Sequence, residues 1–382
     1  MIKHLRLVQK STIIEQANEN LEEIKMKIKK VLSLVLAVGM TASVALTGCG
    51  NQINENDVAA TLDGEDIPLE LVNFMAQYTA VSYDSLYLPM VGEEMWTQDL
   101  YGTGTTMADN VKDGIMSQIQ TGYLLAAHME EYGVTISDEE ISAMEQAADN
   151  FLADNTEEAI KTMGAKKEHI VKMLWLNLVQ RKMQQAIYDT ADTEVSDEEA
   201  AQRAFSYIKI ATNGYMDADN NQVTYTEEEL AGLAEDAEKA AVEAKEDFDK
   251  AATDNNYTIS TYSYGSDEID EEGAATRSMN IAVIQAANEL SEGDVSSLIE
   301  VEGDGYYILR LDSELDREAT DNKKDQIVSQ RKSDKYNEVL KSYQDACEWE
   351  INEKELKKVK FDGFYTIKQE VDTEAEQVSG TE

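Results

Sequence analysis

Cysteine, histidine and cationic side chains are all scarce in this 382-residue chain. Only two cysteines occur, Cys49 and Cys347. With Cys49 committed to the chemistry described below, Cys347 has no intramolecular partner, so no disulfide framework holds the fold. The three histidines are His4, His128 and His169, and none has a Cys or second His at ligand spacing, which argues against a zinc site. Lys and Arg number 33 against 76 Asp and Glu, a formal net charge of −43. Such a chain lacks the clustered cations that bind nucleic-acid phosphates, and equally those that dock a protein on anionic lipid. No Gly-rich loop follows a strand to cradle phosphate, no Gly-x-Ser-x-Gly elbow is present, and no cofactor is implied. What the chain does have is apolar material, 42% of its residues, enough for two or three cores at this length.

One apolar run stands near the start. Met26-Lys27-Ile28-Lys29-Lys30 is basic, Val31 to Leu46 is apolar and small, and Leu46-Thr47-Gly48-Cys49 follows. This is the layout of an export signal, and the run is too short to span a bilayer, which needs ~20 apolar residues. Leu-Thr-Gly-Cys resembles a lipobox, in which the Cys49 thiol takes a lipid before cleavage. The expectation is a chain tethered to the extracytoplasmic face of the cell membrane through Cys49. Residues 1–25 carry Glu15, Glu19, Glu22 and Glu23, unlike a signal's basic start, and read as an upstream extension before a true start at Met26. The signal is then 26–48 and the tether 49–57.

Past the tether, Val58–Leu62 reads as a strand closed by an Asp63-Gly64 turn, and Pro68 opens a helix. Residues 84–106, rich in Tyr, Gly and Thr, read as a loop or loose hairpin. Val111, Ile115, Ile119, Gly122, Ala126 and Met129 form one stripe of a helix from Met107 to Tyr132, ended by Gly133. Ser137 with Glu140 makes a capping box, and the pattern recurs at Ser196 with Glu199 and Thr226 with Glu229. Lys166 to Thr190 is apolar nearly all round and therefore central. After Ser196 the texture changes to strand candidates (205–210, 257–264, 297–301, 306–311) with helices at 227–252 and 279–290. That order, with an antiparallel return, describes a small α+β domain. A helix over 322–346 and apolar residues to Phe361 follow, then an acidic tail, 367–382, too poor in apolar residues to fold.

Three segments carry a resemblance. Arg203-Ala204-Phe205-Ser206-Tyr207-Ile208 is similar to the opening strand of parvulin-type peptidyl-prolyl isomerases. Ala286 to Ser296 looks like their helix and following turn, and Gly305-Tyr306-Tyr307-Ile308-Leu309 like their closing strand. With its flanking helices, the chain resembles the SurA-like and PrsA-like extracytoplasmic foldases. The resemblance implies an α+β architecture in which a helical SurA-type chaperone domain (58–195) is completed by a C-terminal helix and strand (319–366). The parvulin-like domain (196–318) is inserted between them.

Carried over residue by residue, the resemblance implies degenerate chemistry. The two catalytic histidine positions fall on Tyr207 and Tyr307, and the substrate-binding positions on Met279, Val283 and Leu298. Asp267 and Asp270 are candidates for the remaining acidic position. The implied function is an anchored chaperone or foldase whose partners are unfolded, newly secreted polypeptides, and a homodimer is compatible with it. A catalytically competent isomerase and a transporter's solute-binding lipoprotein are the alternatives. Asp217, Asp219 and Asn221 alternate like calcium ligands, and Glu228 falls at the twelfth place, but Gln222 stands where such a loop needs Gly, so a solvated turn is expected and no metal.

Overall fold

The computed structural model describes residues 53–216, 219–269 and 278–365. The export signal, the Cys49 lipidation site, Asp217, Asp270 and the acidic tail lie outside the described residues. The chain divides into two units: one takes residues up to Asp189 and from Lys335 onward, the other Thr190–Asp334.

In the first unit, β1 (Val58–Leu62) turns back through Asp63 and Gly64, both at positive φ, into β2 (Glu65–Pro68). The helices are α1 (Leu69–Val91), α2 (Met107–Ala127), α3 (Asp138–Asp154), α4 (Glu157–Met163) and α5 (Lys167–Tyr188). α1 runs through residues 84–91, where a loop was expected, and Pro89 sits in its last turn. A proline so close to a helix end removes one hydrogen bond instead of breaking a long ladder. A 3-10 turn, Glu93–Thr97, follows. α2 stops at Ala127, and a 3-10 turn carries the chain to Gly133, whose left-handed backbone ends it. Gly122 lets α2 approach α5: a β-carbon there would lie 3.0 Å from Leu176 Cδ2. The Ser137–Glu140 capping box is formed in both directions.

The chain re-enters this unit through α10 (Arg317–Ala346) and continues into β9 (Trp349–Ile351) and α11 (Glu353–Leu356). β9 pairs antiparallel with β1, Ala60 opposite Ile351 and Leu62 opposite Trp349, giving the sheet order β2-β1-β9. Val359, Phe361 and Tyr365 are buried in the same core as Phe74, Trp96 and Phe151. Strand and tail from the end of the described chain thus complete a core begun at its start.

The second unit holds a four-stranded antiparallel sheet of order β6-β3-β8-β7, built from β3 (Gln202–Ala211), β6 (Ile259–Gly265), β7 (Ile299–Val301) and β8 (Gly305–Ser313). Before β3 lies one short turn of helix, α6 (Asp197–Ala200), and after it a small hairpin of β4 (Tyr215–Met216) with β5 (Gln222–Val223). The helix expected over 227–252 is two: α7 (Glu227–Glu246) and α8 (Phe248–Asp254). Asp247 divides them, its extended backbone and its carboxylate, which accepts from Lys250 N, making it the N-cap of α8. α7 has its capping box complete, whereas Ser196 caps α6 in one direction only. Glu199 turns instead to Arg331, with Oε1 2.5 Å from Nη2. α9 (Ile281–Asn288) follows, started by the Asn280 side chain. All three sheets are antiparallel, an α+β fold. The alternating two-lobed sheet that a solute-binding lipoprotein requires is absent among the described residues.

Candidate functional site

Alternation along the strands gives the four-stranded sheet two different faces. Ile208, Ile210 and Ile308 point to one, where Ala237, Ala240, Ala244 and Phe248 of α7 and α8 cover them. Alanine on the helices lets them lie close to branched strand residues. Phe205, Tyr264, Tyr307, Leu309 and Leu311 point to the other, covered by Val283, Ile284 and Ala287 of α9.

That second face is aromatic, and both proposed histidine-equivalent positions lie on it. Tyr207 and Tyr307 are diagonal neighbours across β3 and β8, since Tyr207 stands opposite Leu309 and Lys209 opposite Tyr307. Their ring centroids are 5.9 Å apart. Phe205 packs beside Tyr207, Tyr262 and Tyr264, at centroid distances of 6.0, 5.7 and 5.8 Å. Met279 and Val283 belong to the same cluster. Leu298 does not: it precedes β7 and packs against the cluster behind the sheet that holds Ile208 and Phe248, while Ile299, the first residue of β7, takes the aromatic side.

The polar atoms of this face are fastened to one another. Tyr307 donates its hydroxyl to Asp304 Oδ2 at 2.5 Å, and Lys209 Nζ reaches Asp304 Oδ1 at 2.5 Å. The same ammonium lies 5.3 Å from the centre of the Tyr307 ring. Burial raises the Tyr307 phenol, and the Asp304 carboxylate beside it adds to the rise. Burial works against charge on Asp304 and on Lys209, but each holds the other ionised: the carboxyl is lowered and the ammonium raised. On the β6 side Tyr262 donates to Glu268 Oε2 at 2.6 Å and accepts from the Ser278 backbone at 3.3 Å. Asp267 is engaged elsewhere, bridged to Lys323 at 2.9 Å.

Among the described residues no imidazole enters this face, which offers a bonded phenol, an ion pair and an aromatic floor. Sequence reasoning missed Lys209 and Asp304. Their pairing was not local: the Gly303–Gly305 turn sets the register of β7 on β8, whereas Lys209 comes opposite Tyr307 only through the long-range pairing of β3 with β8. His128 and His169 lie on no shared site. His128 stacks on Tyr343 at 3.6 Å and contacts Glu131 at 2.6 Å, while His169 is buried near Glu70. Burial lowers the His169 imidazole. Among the described residues no group of three or more His, Cys, Asp or Glu could hold a metal ion.

No protein-family model matches the chain, and no curated protein matches it. Among solved structures it is similar to a SurA-like chaperone of Campylobacter jejuni, at 12% identity over 78% of this chain and 100% of that one, TM-score 0.27. It is also similar to the foldase protein PrsA of Streptococcus pneumoniae, at 18% identity over 63% and 90% of the two chains, TM-score 0.29. A peptidylprolyl isomerase, PrsA, of Bacillus cereus is similar at 18% identity over 66% and 88%, TM-score 0.28. These are likenesses of low identity and low TM-score, and the reading below stands on the chain's own residues.

Proposed function

We propose that this protein is an extracytoplasmic chaperone or foldase for newly secreted polypeptides, held at the membrane by a lipid on Cys49. The observation that carries the reading is the pairing of β1 with β9, Ala60 opposite Ile351. Both ends of the described chain build one helical unit, and a sheet-bearing unit interrupts it in sequence, the arrangement the foldase resemblance implies. The lipobox-like Leu46-Thr47-Gly48-Cys49 supports export and anchoring. Among the described residues no helix is long and apolar enough to cross a membrane.

The sheet-bearing unit is read as a degenerate parvulin-like domain that binds without efficient catalysis. Rotation about a peptide bond crosses a barrier of ~18–20 kcal/mol, and a catalyst must favour the twisted amide over the planar one. Tyr307, its hydroxyl given to Asp304, has no free proton to direct at a substrate carbonyl. Met279, Val283 and Leu298 are the substrate-binding proposals, with Val283 fully buried and Met279 nearly so.

The test compares two activities of the same full chain: suppression of aggregation of an unfolded secreted protein, and cis–trans isomerisation of a proline tetrapeptide. Aggregation suppression with isomerisation near the uncatalysed rate is the expected result. Efficient isomerisation would make the protein a competent enzyme, and failure to suppress aggregation would remove the chaperone reading.

A further inference from the structure

Among the described residues, several apolar and aromatic side chains at the end of α1 and in the turn after it stand exposed. Met90 is 77% exposed, Leu86 60% and Tyr101 53%. Leu86 and Met90 are four residues apart, so they lie on one side of the helix. Beside them runs an aromatic row. Trp96, 3% exposed, packs against Tyr83 at 6.0 Å, and Tyr83 stacks on Tyr87 at 5.8 Å. The row thus leads from buried Trp96 to the half-buried Tyr87.

The charge that neighbours this face in sequence has one sign. From Val31 to Val111 the chain contains no Lys or Arg. Glu93, Glu94 and Asp99 follow the helix directly and are exposed. The last turn of α1 carries no basic residue, so the partial negative charge of its terminal carbonyls is uncompensated from within. The next cation in sequence, Lys112, pairs with Asp109 at 3.2 Å. Lys360 meets α1 through its backbone carbonyl, which accepts from Gln77, and its neighbour Phe361 lies on Trp96 at the buried end of the row. Exposed aromatic faces and carboxylates both attract cations, while Leu86 and Met90 attract methylenes.

We propose that this face is a docking surface for an unfolded polypeptide segment in which Lys or Arg alternates with aliphatic residues. The inference rests on the chaperone reading and names the class of client segment it takes. An aliphatic client lacking cations would leave the carboxylates idle, and an acidic one would be repelled.

The experiment titrates the full chain with labelled peptides of alternating Lys and Leu or of alternating Glu and Leu, at low and high salt, by fluorescence anisotropy. The Lys/Leu peptide binds at least ~10-fold tighter at low salt, and the advantage shrinks as salt screens it. Leu86→Ser with Met90→Ser weakens the Lys/Leu peptide several-fold without moving the melting curve, since both side chains are exposed. Glu93→Gln with Glu94→Gln flattens the salt dependence. Equal binding of the two peptides, or full binding by the double serine variant, overturns the proposal. Aggregation suppression by the parent chain, read in parallel, reports on the chaperone reading alone: if it persists while the serine variant binds normally, the function stands and this surface does not.

Discussion

The buried carboxylate of Asp84 accepts the backbone N–H of Tyr365 at 2.9 Å, joining α1 to a residue 281 positions later. Its other oxygen accepts the indole N–H of Trp96 at 2.9 Å. Burial raises its pKa from 3.8 to about 6, against the pull of the two donors. A raised folded-state pKa means that this group's contribution to stability is full below pH 3.8 and is lost as pH rises through about 6. Two units correspond to at most ~3 kcal/mol. Asp84→Asn does not titrate, so its disadvantage relative to the parent shrinks by up to that amount between about pH 4 and pH 7. Urea unfolding of both chains across this range checks it; a pH-independent difference would mean the carboxylate is not perturbed.

Trp96 lies flat on Phe361, centroids 4.2 Å apart and planes 9° apart. Phe361→Ala removes that contact and leaves a cavity at a site 8% exposed, costing ~3–5 kcal/mol. Loss of the Trp96 near-UV signal at lower urea reads it, and Phe361→Leu is expected to lose less.

How much of this was legible in the sequence depends on range. The helix starts at Ser137 and Thr226 are written in neighbouring residues, since a capping box closes within four positions. The middle of strand β3 was visible over 205–210, and its burial alternates from Ser206 to Ala211. β2 was not, being four residues long and defined by its partner, and β9, three residues long, was expected only through the resemblance, as a strand somewhere in 319–366. The continuation of α1 past Asp84 was hidden for the same reason: Trp96 and Tyr365 hold that carboxylate, and only one of them is local. In the candidate site, Tyr207 and Tyr307 meet on one face, but the side of the sheet that Leu298 takes depends on how β7 joins β8.

Gly122 leaves room for Leu176. Gly122→Val adds branches where even a β-carbon is at 3.0 Å, and the overpacking costs ~1–3 kcal/mol. Leu176→Ala in the same chain recovers part of the loss. Additive losses in thermal unfolding would show that the helices do not meet there.

Asp304 serves Lys209 and Tyr307 together. With a third of the Asp304 and Lys209 side chains exposed, solvent screens the ion pair, and Asp304→Asn costs only ~1 kcal/mol. A double-mutant cycle with Tyr307→Phe gives a coupling well above its error if the hydroxyl bond is real, and zero if it is not.

β1 and β9 join residues 58–62 and 349–351 into one unit. Asn352 donates its backbone N–H to Ala59 O at 2.8 Å, and Asp63 donates to Glu348 O at 2.9 Å. Hydrogen exchange of peptides covering 58–63, measured in the full chain and in one ending at Ala346, tests this directly. Slow exchange that becomes fast on truncation is the predicted result; identical exchange in the two chains would contradict it.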